Sequence, residues 1–209
     1  MRILVTGGAG FIGSHLVRRL LTTSDDEVRV LDLLTYAGNL ENLADVQADP
    51  HLAGRLDVVV GDVCDAATVR AALTGCDAVV HLAAESHVDR SLRDPGVFVR
   101  TNCLGTAVLC EAAVDVGVGR FVHVSTDEVY GSRATGSFTE DDPLRPSSPY
   151  SASKAGADLL ALAHHTSHGL PVVVTRSSNQ YGPYQFPEKV VPLFVTRPSN
   201  GVHQSGRSR

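Results

Sequence analysis

Short apolar runs alternate along the chain with longer segments whose apolar residues recur every three or four positions. Arg2–Thr6, Val28–Leu33, Leu56–Val60, Ala78–Leu82, Phe121–Ser125 and Val172–Arg176 are rich in Val, Ile and Leu and predict six strands. Near-continuous apolar character marks a strand covered by helices on both faces. Ile12–Leu21 places Ile12, Leu16 and Leu20 on one helical face, and Ala66–Leu73 and Phe98–Asp115 follow similarly. Ser151–His165 is the longest late helix, opened by Pro149 and closed near Gly169. Strand–helix alternation predicts an α/β fold, a doubly wound parallel sheet with helices on both faces.

Two segments break the alternation. Gly131 to Pro149 is rich in Gly, Ser, Pro and acidic residues and reads as a long surface loop, of the kind that often serves as a lid. Arg197–Arg209 has a single aliphatic residue, Val202, among polar ones, too little to offset its ordering entropy. The expected organisation is therefore one dinucleotide-binding domain over 1–196, with the start of a substrate-binding part, and a disordered tail over 197–209.

Composition narrows the function classes. A chain of 209 residues allows one domain, or one domain plus a fragment. The formal charge is −5, with Lys and Arg dispersed, which gives no footprint for nucleic acid. No apolar run approaches the roughly 20 residues that span a bilayer, and no signal peptide is visible, so a cytoplasmic location is expected. Cys64, Cys76, Cys103 and Cys110 form no CxxC pair and no metal pattern; they read as reduced, semi-buried thiols.

Candidate chemistry starts at Thr6-Gly7-Gly8-Ala9-Gly10-Phe11-Ile12-Gly13, between the first strand and the first helix. Gly7 permits a tight turn, Gly10 lets the backbone approach a pyrophosphate, and Gly13 allows close helix–strand packing. The helix N-terminus offers free N–H groups to phosphates. Asp32, ending the second strand, fits the acid that binds the adenosine ribose hydroxyls; Leu33 after it, in place of Arg, favours NAD over NADP. Asp62 either reaches the adenine or caps the Ala66–Leu73 helix. Leu82-Ala83-Ala84 is small enough for a cofactor to lie against its backbone.

A reaction centre is suggested by Tyr150-Ser151-Ala152-Ser153-Lys154, which puts a phenol and an ammonium on one helical face. A nearby Lys154 cation should lower the Tyr150 pKa, making the phenol a base near neutrality, and could also hold the nicotinamide ribose. Thr126, Asp127 and Glu128 follow the fifth strand at the edge where doubly wound sheets bind ligands. A hydroxyl there can bind the oxygen being oxidised, and two adjacent carboxyls can serve as acid and base if their environments differ. The competing explanation is an acidic helix start complementing the helix dipole.

These residues together resemble the dTDP-glucose 4,6-dehydratases of the extended short-chain dehydrogenase/reductase family. The resemblance rests on Ser125-Thr126-Asp127-Glu128-Val129-Tyr130-Gly131, Asp32–Asn39, Leu82–Ser91, Tyr181–Tyr184 and Pro187-Glu188-Lys189, and extends from Met1 to about Thr196. It implies that Tyr150 removes the sugar 4-hydroxyl proton while NAD takes the C4 hydride. Glu128 then abstracts the C5 proton, Asp127 protonates the departing 6-hydroxyl, hydride returns to C6, and Thr126 positions the 4-oxygen. It also implies cofactor contacts at Phe11, Ile12, Asp32, Leu33, Leu34, Thr35, Asp62, Val63, Leu82, Ala83, Ala84, Glu85, Ser86, Thr101, Tyr150 and Lys154, with Gln180 on the nicotinamide side. Substrate contacts fall on Ser86, Thr126, Asn179, Lys189 and Val190, and a homodimer is implied through the two long helices.

The chain departs from that pattern in three places. Leu33 stands where a Lys is often found, and Gln180 replaces the second Asn of an Asn-Asn-Tyr-Gly pattern. The family continues for about a hundred further residues, another small domain's worth. The resemblance thus leads to the expectation of a chain short of part of its nucleotide clamp, with weakened turnover and exposed apolar surface. Competing functions are a 4-epimerase or decarboxylase of the same fold, against which the adjacent Asp127 and Glu128 argue, and an NAD-binding fragment without activity.

Overall fold

The computed structural model describes residues 1–196. The tail expected over 197–209 lies outside the described residues. The elements in order are β1 (Arg2–Thr6), α1 (Phe11–Thr23), β2 (Glu27–Asp32), α2 (Ala44–Ala48), α3 (Pro50–Ala53), β3 (Leu56–Val60), α4 (Ala66–Leu73), β4 (Ala78–His81), α5 (Val88–Arg93), α6 (Pro95–Phe98), α7 (Gly105–Val116), β5 (Arg120–Thr126), α8 (Pro149–His168), β6 (Val172–Ser177) and α9 (Val190–Thr196). Single 3-10 turns occupy Leu40–Leu43 and Asp127–Tyr130, and a π turn at Val99–Leu104 joins α6 to α7.

The six strands form one sheet in the order β3-β2-β1-β4-β5-β6, every neighbouring pair parallel. This is the doubly wound Rossmann arrangement, and its order reverses between β1 and β4, where such sheets open a crevice for a ligand. Side chains alternate across the sheet. Ile3, Val5, Val28 and Val30 pack on one face with Val17 and Leu21 of α1, whereas Leu4, Leu31, Val79 and Phe121 pack on the other with Val69 and Leu73 of α4 and Leu109 of α7. Burial on both faces explains the unbroken apolar character of these strands.

Local signals set the helix ends. Ser148 and Ser151 form a reciprocal capping box at the start of α8, with Pro149 in its first turn. Gly169 closes it with φ of 71°, a left-handed conformation in which a Cβ is strained. Asp65 caps α4 by accepting from Ala67 N, so the capping alternative for Asp62 does not hold.

One expectation changes with the structure. Pro95–Val116 runs as one helical stretch of 22 residues and, by length and composition alone, is apolar enough to cross a membrane. The sequence reading missed this because Arg100, Glu111 and Asp115 interrupt the run. It serves here as a core helix: Phe98, Leu109, Cys110 and Ala113 are buried, and α7 packs against α4 and α8. All four cysteines are free thiols, and burial raises the pKa of each, to about 11 at Cys64 and about 12 at Cys110.

The loop after Tyr130 has neither strand nor helix, as expected, yet it is pinned rather than free. Phe138 stacks on Tyr130 with ring centroids 5.0 Å apart, Leu144 packs on the same cluster, and Arg145 N donates to Val129 O. At the other extreme stands α9, where Val190, Phe194 and Val195 are at least 70% exposed.

Candidate active site

The glycine turn is fixed by how little space surrounds it. Gly7 adopts φ of 70° and donates to Leu31 O, and a Cβ at Gly13 would sit 2.1 Å from Gly7 O. Gly10 differs: a Cβ there would meet only Gly7 O, at 3.3 Å. The N-terminus of α1 has no side-chain cap and no acidic residue in its first turn. Its free N–H groups therefore stand beside an open backbone edge, a cradle suited to a diphosphate. The residues fit the dinucleotide that the sequence implied.

Asp32 is buried and binds the turn itself. Its Oδ2 accepts from Ala9 N at 3.0 Å and its Oδ1 from Leu34 N at 2.9 Å. Each oxygen retains acceptor capacity for a ribose hydroxyl. Leu34 takes φ of 55°, and Leu33 and Thr35 are exposed on the rim. Asp62 pairs with Arg100 at 2.8 Å and accepts from Cys64 N at 2.8 Å; burial opposes its ionisation, but these two partners hold its carboxyl below the usual range. The Val63 side chain lies in the core against Gly105, which leaves its backbone for any cofactor contact.

The segment after β4 is held by a chain of buried polar groups that the sequence reading did not find. Thr6 Oγ1 accepts from Ala83 N at 3.2 Å and lies 2.7 Å from His81 Nδ1. His81 Nε2 lies 3.0 Å from Thr106 Oγ1, which donates to Asn102 O. That order makes His81 a donor at Nε2 and an acceptor at Nδ1. Asn102 then accepts from Glu85 N and donates to Glu85 O and to Ser153 Oγ, so Leu82–Ser86 is fastened to both long helices. Thr101 sits in the same π turn, half-buried. A histidine inside an apolar strand was the one available signal.

Across the cleft, Thr126 ends β5 and caps the next turn, its Oγ1 accepting from Glu128 N at 3.2 Å. Tyr150 faces this trio. Its phenol is pushed up to about 12 by burial first, then by Glu128 and Asp127, while a hydrogen bond with Thr126 works the other way. Burial and the neighbouring Asp127 raise the Glu128 carboxyl, with Lys189 opposing.

The expected lowering of Tyr150 by Lys154 is not found. Lys154 is buried against β5, with Nζ donating to Val124 O at 2.8 Å. Burial lowers the amine to about 8, and the dominant charges around Tyr150 are carboxylates. Helical spacing put the pair on one face but could not show that the ammonium is turned into the sheet.

The remaining candidates lie on the segment after β6. Lys189 Nζ donates to Ser86 O at 3.0 Å, which joins two predicted substrate residues. Asn179, Gln180 and Val190 are exposed, and Gln180 Nε2 donates to Ser178 O. His87 and Arg90 fasten this strap: Arg90 pairs with Glu188 at 3.0 Å and lies 3.8 Å over the Tyr36 ring, and His87 Nε2 is 3.6 Å from Glu188. At its other end, His15 meets Pro183 O at 3.1 Å and the Tyr184 ring at 5.5 Å between centroids.

Known proteins carry the same architecture. A dTDP-glucose 4,6-dehydratase from Streptomyces griseus is 62% identical over 197 residues, covering 93% of this chain and 58% of its relative. A second, from Actinoplanes sp., is 56% identical over 208 residues, covering 97% and 64%. The crystal structure of a dTDP-glucose 4,6-dehydratase from Streptomyces venezuelae, with NAD and dTDP bound, superposes with a TM-score of 0.90 at 61% identity, over 94% of this chain and 61% of that one. The chain thus spans about three fifths of the length of these relatives. The family model described as GDP-mannose 4,6 dehydratase matches residues 4–206, and the chain belongs to that family.

Proposed function

We propose that this chain carries the cofactor and reaction centre of a nucleotide-sugar 4,6-dehydratase, a hydro-lyase that converts dTDP-glucose to dTDP-4-keto-6-deoxyglucose. The observation that carries the reading is Tyr150 facing Thr126, Asp127 and Glu128 in one half-buried site at the carboxyl end of β5. A 4-epimerase needs no acid and base for C5 and C6, so the adjacent carboxyls support the dehydratase.

Bound NAD would supply the hydride acceptor for C4 and the hydride donor for C6, and its cationic ring would favour a nearby phenolate. Gly7, Gly10 and Gly13 with the α1 N-terminus would hold its diphosphate, Asp32 its adenosine ribose, and Leu82–Ser86 its flank. Thr126 binds the sugar 4-oxygen, and Tyr150 takes the 4-hydroxyl proton. The ketone so formed acidifies C5–H. Glu128, held less acidic by burial, takes that proton, Asp127 protonates the 6-hydroxyl so that it leaves as water, and Glu128 gives its proton back to C5 as hydride reaches C6. Ser86, Asn179, Lys189 and Val190 are assigned to the substrate side.

A cytoplasmic homodimer is part of the same proposal. Val99 and Leu104 on the Pro95–Val116 stretch and Leu159 and Leu162 on α8 are exposed, beside an apolar hollow lined by Pro95, Ala107 and Leu160. Sedimentation should give twice the mass of one chain; a monomer at all concentrations would remove that part. The activity is tested by incubating the NAD-loaded chain with dTDP-glucose and following the 4-ketone absorbance in base. Its appearance supports the reading, and its absence from a chain that retains NAD overturns it.

A further inference from the structure

Behind the reaction centre lies a buried charge cluster to which the reaction above assigns nothing. Asp158 follows Lys154 by one helical turn, on the α8 face that also carries Tyr150. Its side chain is fully buried. Oδ2 accepts from Arg176 Nε of β6 at 2.9 Å, and Oδ1 lies 3.2 Å from His123 Nε2 of β5. Arg176 is anchored in turn, donating from Nη1 to the Tyr130 hydroxyl at 2.7 Å. Asp158 is thus hydrogen-bonded at Oδ2 to Arg176 of β6, while its Oδ1 lies beside His123 of β5.

The surroundings of Lys154 show why such a carboxylate matters. The amine is surrounded by His81 of β4, His123 of β5, Cys103 of the π turn and Asp158 of its own helix, with Arg176 of β6 beyond Asp158. His81 and His123 are paired in register with ring centroids 5.4 Å apart, and burial keeps both less basic than usual. They are therefore neutral near pH 7, and burial keeps the Cys103 thiol protonated. The ionised groups left are two cations, Lys154 and Arg176, and one anion. A buried ammonium without a counter-charge loses its proton rather than stay charged.

We propose that Asp158 is a positioning residue for this reaction centre: fixed between His123 and Arg176, its carboxylate is the counter-charge that keeps the buried Lys154 amine an ammonium. The role rests on the reading of Tyr150 and Lys154 given above. The charge relation itself is measurable without turnover, so the two stand or fall separately.

The chain has only two lysines, Lys154 and Lys189. Labelling with lysine carrying carbon-13 at Cε therefore gives two side-chain signals in the full chain, assigned with a Lys189→Ala variant. The expected Lys154 midpoint is about 8 in the parent chain. In Asp158→Asn it falls by about one pH unit or more, while Lys189 does not move. Loosened packing would admit water and shift the midpoint the other way, toward the usual lysine value. An unchanged or raised midpoint in folded Asp158→Asn overturns the proposal.

Should Asp158→Asn fail to fold by circular dichroism, Arg176→Lys and Arg176→Met decide the matter. The first keeps the competing cation; the second frees the carboxylate to act on Lys154 alone. A midpoint higher in Arg176→Met than in Arg176→Lys supports the proposal, and equal midpoints overturn it.

Discussion

The two ends of the cleft are built in opposite ways. At the glycine turn, backbone does the work: Gly13 leaves no room for a Cβ beside Gly7 O, and Asp32 accepts from Ala9 N and Leu34 N. At the end that carries Tyr150, side chains from β4, β5, α8 and β6 meet in a buried polar cluster around Lys154. The first end tolerates no added atoms at Gly7 or Gly13. The second tolerates no unpaired charge. The close approach of Gly13 to Gly7 is set within the turn itself, and that of Gly7 to Ala83 by the neighbouring strand end, whereas charge compensation around Lys154 needs side chains from several strands and a helix at once.

The largest expected effect is at the glycine turn. Gly13→Val places a Cβ on Gly7 O and should lower stability by about 3 kcal/mol and abolish NAD retention, as read by urea unfolding and gel filtration. Gly10→Ala sharpens the point. Its Cβ meets little of the protein, so stability should change by less than about 0.5 kcal/mol while NAD affinity falls. Equal destabilisation of the two variants would break the contrast between packing and ligand approach.

At the other end, Tyr150→Phe should keep both fold and NAD and lose turnover by roughly 10²–10⁴-fold. Glu128→Gln should stop after C4 oxidation, so reduced nicotinamide accumulates when dTDP-glucose is added. No change in nicotinamide absorbance would remove Glu128 from the C5 step.

A smaller effect concerns pH. Burial lowers Lys154 to about 8, below the usual lysine value of about 10.4. Between these values the unfolded chain binds more protons than the folded one, so this group adds stability as pH rises from about 8 to about 10. Lys154→Met removes that term. The stability of the parent relative to Lys154→Met should therefore grow by on the order of 1–2 kcal/mol between about pH 7.5 and 9.5, read from urea melts. A flat difference would mean that the amine titrates as if in solvent. The smallest effect is at the cap: Ser148→Ala should cost about 1 kcal/mol and leave NAD retention unchanged.

The outer regions complete the comparison. β6 is the edge of the sheet and alternates half-buried with exposed residues, and Val173 is exposed there. Val190, Phe194 and Val195 on α9 are more exposed still.

Strand positions, the parallel class, the glycine turn and the Tyr150–Lys154 spacing were all legible in the chain, because each depends on local periodicity or on one residue's conformational range. Strand ends agreed to within a residue or so; β4 stops at His81, and β5 runs on to Thr126. The turning of Lys154 into the sheet, the His123–Asp158–Arg176 cluster, the His81–Thr106–Asn102 chain and the strap closed by Arg90 and Glu188 were not legible. Arg90 and Glu188 are 98 residues apart and meet only because β4 and β6 end at the same edge. Sequence determines what each residue can do. The parallel sheet decides which of them share a low-dielectric interior, and there a partner's charge outweighs intrinsic preference.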